Sequence, residues 1–391
     1  MSRNPDRNIL IVGGGIGGLA ASIALQNAGF ATRVFEAAPA FTAPGVAVSI
    51  SPNGLKSLRA LGHGIAENIE FGGRPLKSNG ALRIVNPDGH RIGEASDLDV
   101  ADKYGDPIVV IRRLKLHEYL IGAQQGGTLH AGKRLTDLED DGSHVKAIFA
   151  DGTTATGDVL IGADGLNSVV RKVLHATDAP RYTGWGNLRG LVNDLTLPEG
   201  YADGIVILGG QDHILCLPLG DGGCYVSCAF KTPVDTWPRD PEAARREVLK
   251  RCRDWYFCPP AIHNLDPETL LAREIRDHVP LDSWAVGRST LLGDAAHAMS
   301  NFWGQGANTS LEDAVMLARC FEHHTDGVTA MAKYERARIT RTAVLQDASA
   351  RVDGHTRDNE AFLTWQYAYD PRTALLEPPE TTFDELLATM T

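Results

Sequence analysis

The chain has 391 residues, of which 43% are hydrophobic and 22% charged, and its formal net charge is -11 at pH 7. This composition is typical of a globular protein with a sizeable core, and the acidic balance makes nucleic acid or an anionic membrane a poor partner. No signal peptide or membrane-spanning stretch is evident, so we expect a cytoplasmic protein that binds neither membrane nor nucleic acid. The six cysteines form no Cys-x-x-Cys and no zinc spacing, which predicts free thiols and no metal site.

The first legible segment has the pattern of a dinucleotide-binding βαβ unit. An apolar run at residues 9–12 predicts a buried parallel strand, and the following Gly-Gly-Gly-Ile-Gly-Gly fits the G-x-G-x-x-G fingerprint. Gly13 would make the tight turn, Gly15 would let the backbone approach a pyrophosphate, and Gly18 would allow close packing of helix on strand. Glu36 ends the next predicted strand, where a carboxylate accepts both ribose hydroxyls and repels a 2′-phosphate, which favours FAD or NAD over NADP.

Three further positions follow predicted strands or loops. Small residues at Gly45 and Ala47 indicate either a flat group lying against backbone or a plain loop. Arg113 stands between a predicted strand and a predicted helix, where it could contact a phosphate or cap a surface; we favour phosphate. Asp164, between glycines at the end of a second buried strand, is either a ligand contact or part of a bare turn.

Residues 291–314 predict a strand, a turn at Gly293-Asp294, a glycine-containing loop and then a helix. Thr309 and Glu312 have capping-box spacing, so the helix is expected to begin near Asn308. A helix N-terminus presents unpaired N–H groups and the positive end of the helix dipole, which suits an anionic group. The alternative is an ordinary strand–loop–helix corner.

Between these segments, residues 182–230 alternate in polarity with frequent glycine turns, which predicts an antiparallel sheet with one covered face. Residues 82–94 predict a hairpin that turns at residues 87–89. Period-two alternation places His213, Leu215 and Leu217 on one strand face. Long helices follow at residues 311–321 and 329–350, so the sheet is inserted between segments of the dinucleotide-binding part.

Three ordered motifs, residues 13–18 with Glu36, residues 162–165 and residues 293–308, together resemble the single-component (class A) FAD-dependent aromatic monooxygenases of the p-hydroxybenzoate and salicylate hydroxylase type. The resemblance implies an α/β fold: a Rossmann-like FAD-binding domain of the glutathione-reductase type, an inserted antiparallel β-sheet substrate domain, and C-terminal helices. The expected boundaries are 1–75, 100–180 and 285–350 for the discontinuous FAD-binding domain, 76–99 and 181–284 for the substrate-binding sheet, and 351–391 for a C-terminal helical tail.

The resemblance also implies how FAD is bound. Glu36 would bind the adenosine ribose, Arg113 the pyrophosphate and the Leu135 backbone the adenine. Asp294 would hold the ribityl chain or phosphates, and the helix start would direct N–H groups at the pyrimidine edge of the ring. The expected cofactor-binding residues are Gly13, Gly15, Gly18, Glu36, Ala47, Val48, Arg113, Leu135, Asp164, Asp294, Gly306, Ala307 and Asn308.

The implied reaction consumes NAD(P)H, as a transient co-substrate, and O2. An electron-rich aromatic, heteroaromatic or enolic small molecule would be hydroxylated through a flavin 4a-hydroperoxide, by a monomer or a homodimer. The alternatives are a reductase of the same superfamily that inserts no oxygen, or a non-enzymatic flavin binder. A flavin-dependent halogenase is disfavoured, because the Trp-x-Trp-x-Ile-Pro pattern of halogenases is absent: no two of the six tryptophans lie two positions apart.

Substrate-side candidates are His213, Arg189 and Asn301. His213 could be a general base, since an unperturbed histidine has a pKa of about 6.5, or a packed or solvent-facing side chain. Arg189 could pair with a substrate carboxylate or lie near the flavin, or be structural. Family members commonly have proline at the position of Asn301, so we expect Asn301 and Trp303 to shape an unusual substrate pocket; Ser49 and Tyr225 are weaker candidates.

Overall fold

A computed structural model describes residues 8–42, 45–76, 82–94, 100–176, 179–350 and 360–376. The strands are Asn8–Val12 (β1), Ala31–Phe35 (β2), Ala47–Ile50 (β3), Arg74–Pro75 (β4), Leu82–Val85 (β5), Arg91–Glu94 (β6), Val109–Arg112 (β7), Leu129–His130 (β8), Leu135–Asp140 (β9), Val145–Phe149 (β10), Thr154–Gly157 (β11), Val159–Gly162 (β12), Arg181–Val192 (β13), Gly204–Gly209 (β14), Asp212–Pro218 (β15), Cys224–Lys231 (β16), Leu271–Asp277 (β17) and Ser289–Leu291 (β18).

The α-helices are Ile16–Asn27 (α1), Pro52–Leu61 (α2), Ile65–Gly72 (α3), Val100–Tyr104 (α4), Arg113–Gly122 (α5), Val169–His175 (α6), Pro241–Cys252 (α7), Cys258–His263 (α8), Asp294–His297 (α9), Gly306–His323 (α10), Gly327–Ala350 (α11) and Glu360–Tyr367 (α12). Two 3₁₀ turns span Pro267–Thr269 and Asn301–Trp303. Within the described residues, no helix is both long and apolar enough to cross a membrane.

The fold has two layer systems, each consisting of one large sheet and the elements packed on it. The first is centred on a five-stranded parallel sheet in the order β18-β12-β1-β2-β8. The apolar side chains of β1 and β12 are fully or almost fully buried, as expected for strands covered on both faces. The predicted fingerprint lies at the carboxyl end of β1. There Gly13 has a φ of 110°, and an added Cβ would lie 2.2 Å from the Ala163 carbonyl oxygen. At Gly18 it would lie 2.0 Å from the Gly13 carbonyl oxygen, so helix α1 packs closely only because both residues lack side chains.

The second layer system is centred on a sheet of seven strands in the order β17-β13-β16-β15-β14-β5-β6. Its pairs are antiparallel except for β14 with β5, which is parallel. This pair departs from the predicted antiparallel sheet, because the hairpin β5–β6 comes from a distant part of the chain and joins by its first strand. One face of the sheet packs on α7 and α8, and the other face is turned toward the first layer system.

Helix α10 begins at Gly306, two residues before the predicted start, and the expected capping box is absent. The Thr309 hydroxyl donates back to the Gln305 carbonyl oxygen at 2.7 Å, and Glu312 is turned inward to two arginines. The spacing was misleading because Glu312 has distant partners that sequence periodicity does not show.

Cys252 and Cys258 form a disulfide between the end of α7 and the start of α8, so the prediction of free thiols is wrong for this pair. The remaining four cysteines are free and buried. Of the predicted C-terminal tail, residues 360–376 contain α12, whereas residues 351–359 and 377–391 lie outside the described residues.

Candidate active site

A cavity of about 1000 Å³ lies between the two layer systems. One wall is formed by the loop after β1, strand β3, the turn before α9 and the start of α10; the other is a face of the seven-stranded sheet. The residues predicted from the sequence that line it are Gly15, Ala47, Val48, Ser49, Arg113, Arg189, His213, Tyr225, Asp294, Asn301, Trp303, Gly306 and Ala307. Those predicted but absent from its lining are Gly13, Gly18, Glu36, Leu135, Asp164 and Asn308.

The start of α10 lines this cavity and has backbone N–H groups without a hydrogen-bond partner among the described residues. Its first ladder bond runs from Thr309 N to Gln305 O at 2.8 Å, so the N–H groups of residues 306–308 lie before the ladder. The Asn308 side chain fixes this turn to β3: its Oδ1 accepts from Ser51 N at 3.0 Å, and its Nδ2 donates to Ser49 O at 3.0 Å. Asn308 therefore acts through its side chain as a clamp, while its backbone N–H remains in the helix-start group.

A buried polar network lies behind the helix start. Asn53 Nδ2 donates to Gln305 Oε1 at 3.0 Å and to Glu312 Oε1 at 2.6 Å. Arg338 and Arg341 donate to the Glu312 carboxylate at 2.7–2.9 Å. Burial alone raises the pKa of Glu312, but the two guanidinium groups bring it below its usual value. These contacts tie the cavity wall to α2 and α11.

A second buried carboxylate holds the turn before α9. Gly293 N donates to Asp313 Oδ2 at 3.1 Å, and His297 Nε2 lies 2.6 Å from the same oxygen. Arg338 Nε donates to the other oxygen at 2.7 Å. Burial raises the pKa of Asp313, but the neighbouring His297 and Arg338 lower this pKa to about 2. The Asp313 carboxylate therefore holds Gly293, the residue that precedes Asp294 at the start of α9.

Arg113, Arg189 and Asp294 are charged groups of the cavity lining. Arg113 Nε is buried without a hydrogen-bond partner among the described residues, and an added Cβ at Gly45 would lie 2.7 Å from the Arg113 Cδ. Burial lowers the pKa of Arg113, nearby Arg189 and Arg273 lower it further, and Asp294 raises it. An anionic group here would offset the repulsion between these guanidinium groups.

At the adenosine end predicted from the sequence, Glu36 anchors backbone. Its Oε2 accepts from Gly14 N and its Oε1 from Ala38 N, each at 2.8 Å. An added Cβ at Gly15 meets nothing within 4 Å, so the space above the fingerprint loop is open. Leu135 is buried at the start of β9, outside the cavity lining.

Asp164 has a local structural task that the sequence did not reveal. Its carboxylate accepts from the Ser168 hydroxyl, from Val169 N at 2.7 Å and from Val170 N at 3.2 Å, at the start of α6. The two alternatives predicted from the sequence, a ligand contact or a bare turn, did not include this helix cap. Burial raises the pKa of Asp164, against these hydrogen bonds. Arg171 donates to three backbone carbonyl groups, and burial lowers its pKa to about 10.

On the opposite wall, His213 lies in an aromatic cluster. Its ring centroid is 5.0 Å from that of Phe302 and 5.8 Å from that of Trp185. Leu215 and Leu217 line the same cavity, as period-two alternation predicts. The cluster therefore positions an imidazole at the edge of an otherwise apolar surface.

Arg189 is held at its side of the sheet by Asn187. The Arg189 Nε donates to Asn187 Oδ1, and Asn187 Nδ2 donates to the Ser227 hydroxyl at 3.2 Å and to Cys228 O at 2.8 Å. This arrangement leaves the two terminal guanidinium nitrogens without a hydrogen-bond partner among the described residues. The side chain is thus oriented before any ligand arrives.

Asn301 and Trp303 occupy a 3₁₀ turn in the lining. Asn301 Oδ1 is buried and has no hydrogen-bond partner within the described ranges. Trp303 Nε1 donates to Ala348 O at 3.0 Å, and its ring packs 5.1 Å from Phe362. Trp303 is therefore anchored to α11 and α12 while it borders the cavity.

Several residues that build the site were not predicted from the sequence. Gln305 and Asp313 are fully buried, and they hold the helix start and the turn before α9. The signal that could have found Asp313 is the acidic pair inside an otherwise apolar helix. Ser227 and Phe302 also line the cavity, but nothing in their local sequence distinguishes them.

Comparison with known proteins identifies the family. The FAD binding domain family matches residues 6–352, and the chain belongs to it. It is 32% identical over 365 residues to an aurachin C monooxygenase/isomerase of Stigmatella aurantiaca, covering 91% of each chain. It is also 32% identical over 365 residues to an FAD-dependent urate hydroxylase of Klebsiella pneumoniae, covering 91% of this chain and 92% of that protein.

Among solved structures, Klebsiella pneumoniae HpxO complexed with FAD and uric acid is similar with a TM-score of 0.81 and 28% identity, covering 98% of this chain and 95% of that one. The resemblance to the class A FAD-dependent aromatic monooxygenases is thereby confirmed. The chain is an enzyme of this class with a mixed α/β fold, and FAD is its cofactor.

The residues present fit this cofactor. The space above Gly15 is open, the N–H groups at the start of α10 precede the helix ladder, and the buried Arg113 Nε has no partner among the described residues. The pyrophosphate of a dinucleotide would suit the space above Gly15 and the unpartnered Arg113 Nε. The electron-rich edge of its ring would suit the N–H groups at the start of α10.

Proposed function

We propose that the chain is an NAD(P)H-consuming FAD monooxygenase that hydroxylates an electron-rich aromatic, heteroaromatic or enolic small molecule. The observation that carries this proposal is a single cavity in which the fingerprint loop and the start of α10 face His213 and Arg189. Overall, NAD(P)H, a proton, O2 and a substrate C–H bond would give NAD(P)⁺, water and a C–OH bond. Similarity to urate and aurachin C enzymes supports the heteroaromatic branch.

The proposed architecture follows the two layer systems. Residues 1–75, 100–180 and 285–350 would form a discontinuous Rossmann-like FAD-binding domain of the glutathione-reductase type. Residues 76–99 and 181–284 would form the substrate domain. The five-stranded parallel sheet and the seven-stranded sheet support this division.

We assign the adenosine half of FAD to the fingerprint loop with Gly13, Gly15 and Gly18. Glu36 would accept the ribose hydroxyls with the carboxylate lone pairs that its two backbone bonds leave available. The Leu135 backbone would border the adenine. Asp164 would act indirectly, by holding the loop that ends in Gly165 at the cavity.

The isoalloxazine half would lie along β3, beside Ala47 and Val48, with its pyrimidine edge at the N–H groups of residues 306–308. These donors stabilise negative charge that develops at that edge, because they are pre-oriented and need no reorganisation. Asp294 would accept ribityl hydroxyls, and Arg113 would contact the pyrophosphate.

When bound, FAD supplies the redox chemistry: it accepts a hydride from NAD(P)H and activates O2 for transfer of one oxygen atom. The chain's own residues hold the ring that is hydroxylated. Arg189 would bind the anionic or carbonyl edge of the substrate, and His213 would remove the phenolic or enolic proton. The Asn301 Oδ1, which has no partner among the residues that the structure describes, would accept a hydrogen bond from substrate or water in place of the rigid proline.

The test uses the purified holoenzyme and a panel of phenols and hydroxylated heterocycles. We expect a yellow flavin absorption band, and acceleration of NADH or NADPH oxidation with stoichiometric O2 uptake into a hydroxylated product. Oxidation of NAD(P)H without any oxygenated product across the panel would favour the reductase. A colourless protein that does not bind added FAD would overturn the proposal altogether.

A further inference from the structure

The sheet wall of the cavity changes from polar to apolar along one row of residues. Arg189 pairs with Ser227, Ser227 with Leu215, Leu215 with Val206, and Val206 with Ile84, so the five residues occupy one register line across β13, β16, β15, β14 and β5. All five line the cavity. With strands about 4.8 Å apart, this row extends about 19 Å.

The polar end of the row is prepared for hydrogen bonding. Asn187 donates to the Ser227 hydroxyl and accepts from Arg189 Nε, so the serine proton and the terminal guanidinium nitrogens are directed elsewhere. These are donors, and they suit a phenolate, carbonyl or carboxylate oxygen.

The other end is lined by aliphatic side chains. Leu76, Leu82 and Ile84 line the cavity and are only half-buried, and Val206 and Leu217 continue the surface. No charged side chain of the seven-stranded sheet lines the cavity except Arg189, among the residues the structure describes; the other charged lining residues are Lys103, Arg113 and Asp294, from other elements. A half-exposed aliphatic surface inside a concave site is what an apolar ligand group covers.

We propose that the substrate is a hydroxylated aromatic or heteroaromatic ring that carries an aliphatic substituent, with its polar edge at Arg189 and Ser227 and its substituent across Leu215, Val206 and Ile84. This inference rests on the proposed function, because it takes the cavity as the oxygenation site. A small polar substrate would leave about two strand spacings, or roughly 10 Å, of aliphatic surface uncovered.

The test measures binding to the FAD-loaded protein by isothermal titration calorimetry, so it does not depend on turnover. The probes are hydroxyquinolines and phenols bearing hydrogen, methyl, propyl, pentyl or heptyl substituents. We expect the dissociation constant to fall about three- to fourfold per added methylene until the row is covered, with an increasingly negative heat-capacity change. Affinity that is flat or that falls with chain length would overturn the inference.

A matched pair of variants locates the effect. Ile84→Thr should weaken binding of the heptyl compounds about tenfold while leaving the unsubstituted rings unchanged. The control is Ile92→Thr. Ile92 lies on the neighbouring strand β6, is 57% exposed and is outside the cavity lining, so this substitution should change the binding of neither the heptyl compounds nor the unsubstituted rings. If Ile84→Thr fails to fold, as judged by circular dichroism, Val206→Thr repeats the test. Equal effects of Ile84→Thr and Ile92→Thr would contradict the inference.

The two proposals fail in different ways. Chain-length-dependent binding without an oxygenated product would overturn the monooxygenase function and retain the ligand class. Hydroxylation of unsubstituted rings without chain-length dependence would retain the function and overturn the ligand class.

Discussion

The two walls of the cavity are built from different parts of the polypeptide. One wall presents backbone: a glycine loop with open space above Gly15, and three N–H groups at the start of α10. The sheet side presents side chains that project from a regular ladder, including His213, Arg189 and Ile84.

This difference has an energetic counterpart. The backbone wall depends on buried ion pairs, among them Arg338 with Glu312 and Asp313, which bear on the helix start and the turn before α9. The sheet wall depends on strand pairing, which does not involve the side chains that face the cavity. The side chains on this face of the sheet can therefore change without disturbing the backbone wall.

The largest expected effect comes from breaking the network behind the backbone wall. Arg338→Met leaves two buried carboxylates with fewer partners and should cost about 3–5 kcal/mol in the free energy of unfolding. Denaturant unfolding followed by circular dichroism measures it. The control is Arg253→Met, which removes an exposed pair with Asp254 and should cost less than about 1 kcal/mol. Similar losses in both variants would contradict the contrast.

The fingerprint glycines separate folding from cofactor binding. At Gly15 an added Cβ meets only open space, so Gly15→Ala should leave the melting temperature of the FAD-free protein unchanged and weaken FAD binding about a hundredfold. At Gly18 the Cβ would meet the Gly13 carbonyl, so Gly18→Ala should cost about 1–3 kcal/mol in stability. Differential scanning calorimetry and FAD titration distinguish the two; unchanged FAD affinity in Gly15→Ala would exclude a pyrophosphate there.

On the sheet wall, Arg189→Met should weaken binding of anionic substrates by about tenfold or more, since hydrogen bonds to charged groups contribute about 1.5–3 kcal/mol. FAD affinity should not change. Arg253→Met, at an exposed residue outside the cavity lining, is the control and should behave as wild type. The comparison is made by calorimetry with phenolate and carboxylate ligands, and equal losses in both variants would remove Arg189 from the substrate site.

The smallest expected effect is a dependence of stability on acidic pH. Because the pKa of Asp313 is lowered to about 2 in the folded protein, its contribution is present above the unfolded pKa of about 3.9 and is lost as the pH falls toward about 2. Unfolding free energies between these limits should fall less steeply for Asp313→Asn than for wild type. Identical slopes would show that this carboxylate is not ionised in the folded state.

More of the backbone wall than of the sheet wall could be predicted from the sequence. Glycine is required wherever backbone approaches backbone or a ligand, so the fingerprint at Gly13–Gly18 is visible in the sequence itself. The start of α10 was misplaced because the partners of Glu312 are Arg338 and Arg341, which lie 26 and 29 residues further along the chain, on helix α11. The clamp made by Asn308 and the cap made by Asp164 likewise depend on tertiary contacts.

The sheet wall is harder to infer because its register row joins distant segments. Ile84, Val206 and Arg189 come from three separate strands. Alternation along each strand predicts which face of the sheet a residue lies on, but not which residue of the adjacent strand it pairs with. His213 was placed on the correct face with Leu215 and Leu217, yet its aromatic neighbours Phe302 and Trp185 could not be foreseen.

The most direct test of the account is oxygenation with isotopically labelled dioxygen. The FAD-loaded enzyme is mixed with NAD(P)H and an alkyl-substituted hydroxyquinoline or phenol, and the product is analysed by mass spectrometry. We predict one labelled oxygen atom in the hydroxylated product for each NAD(P)H consumed. Label found only in hydrogen peroxide, with the substrate recovered unchanged across the panel, would contradict it.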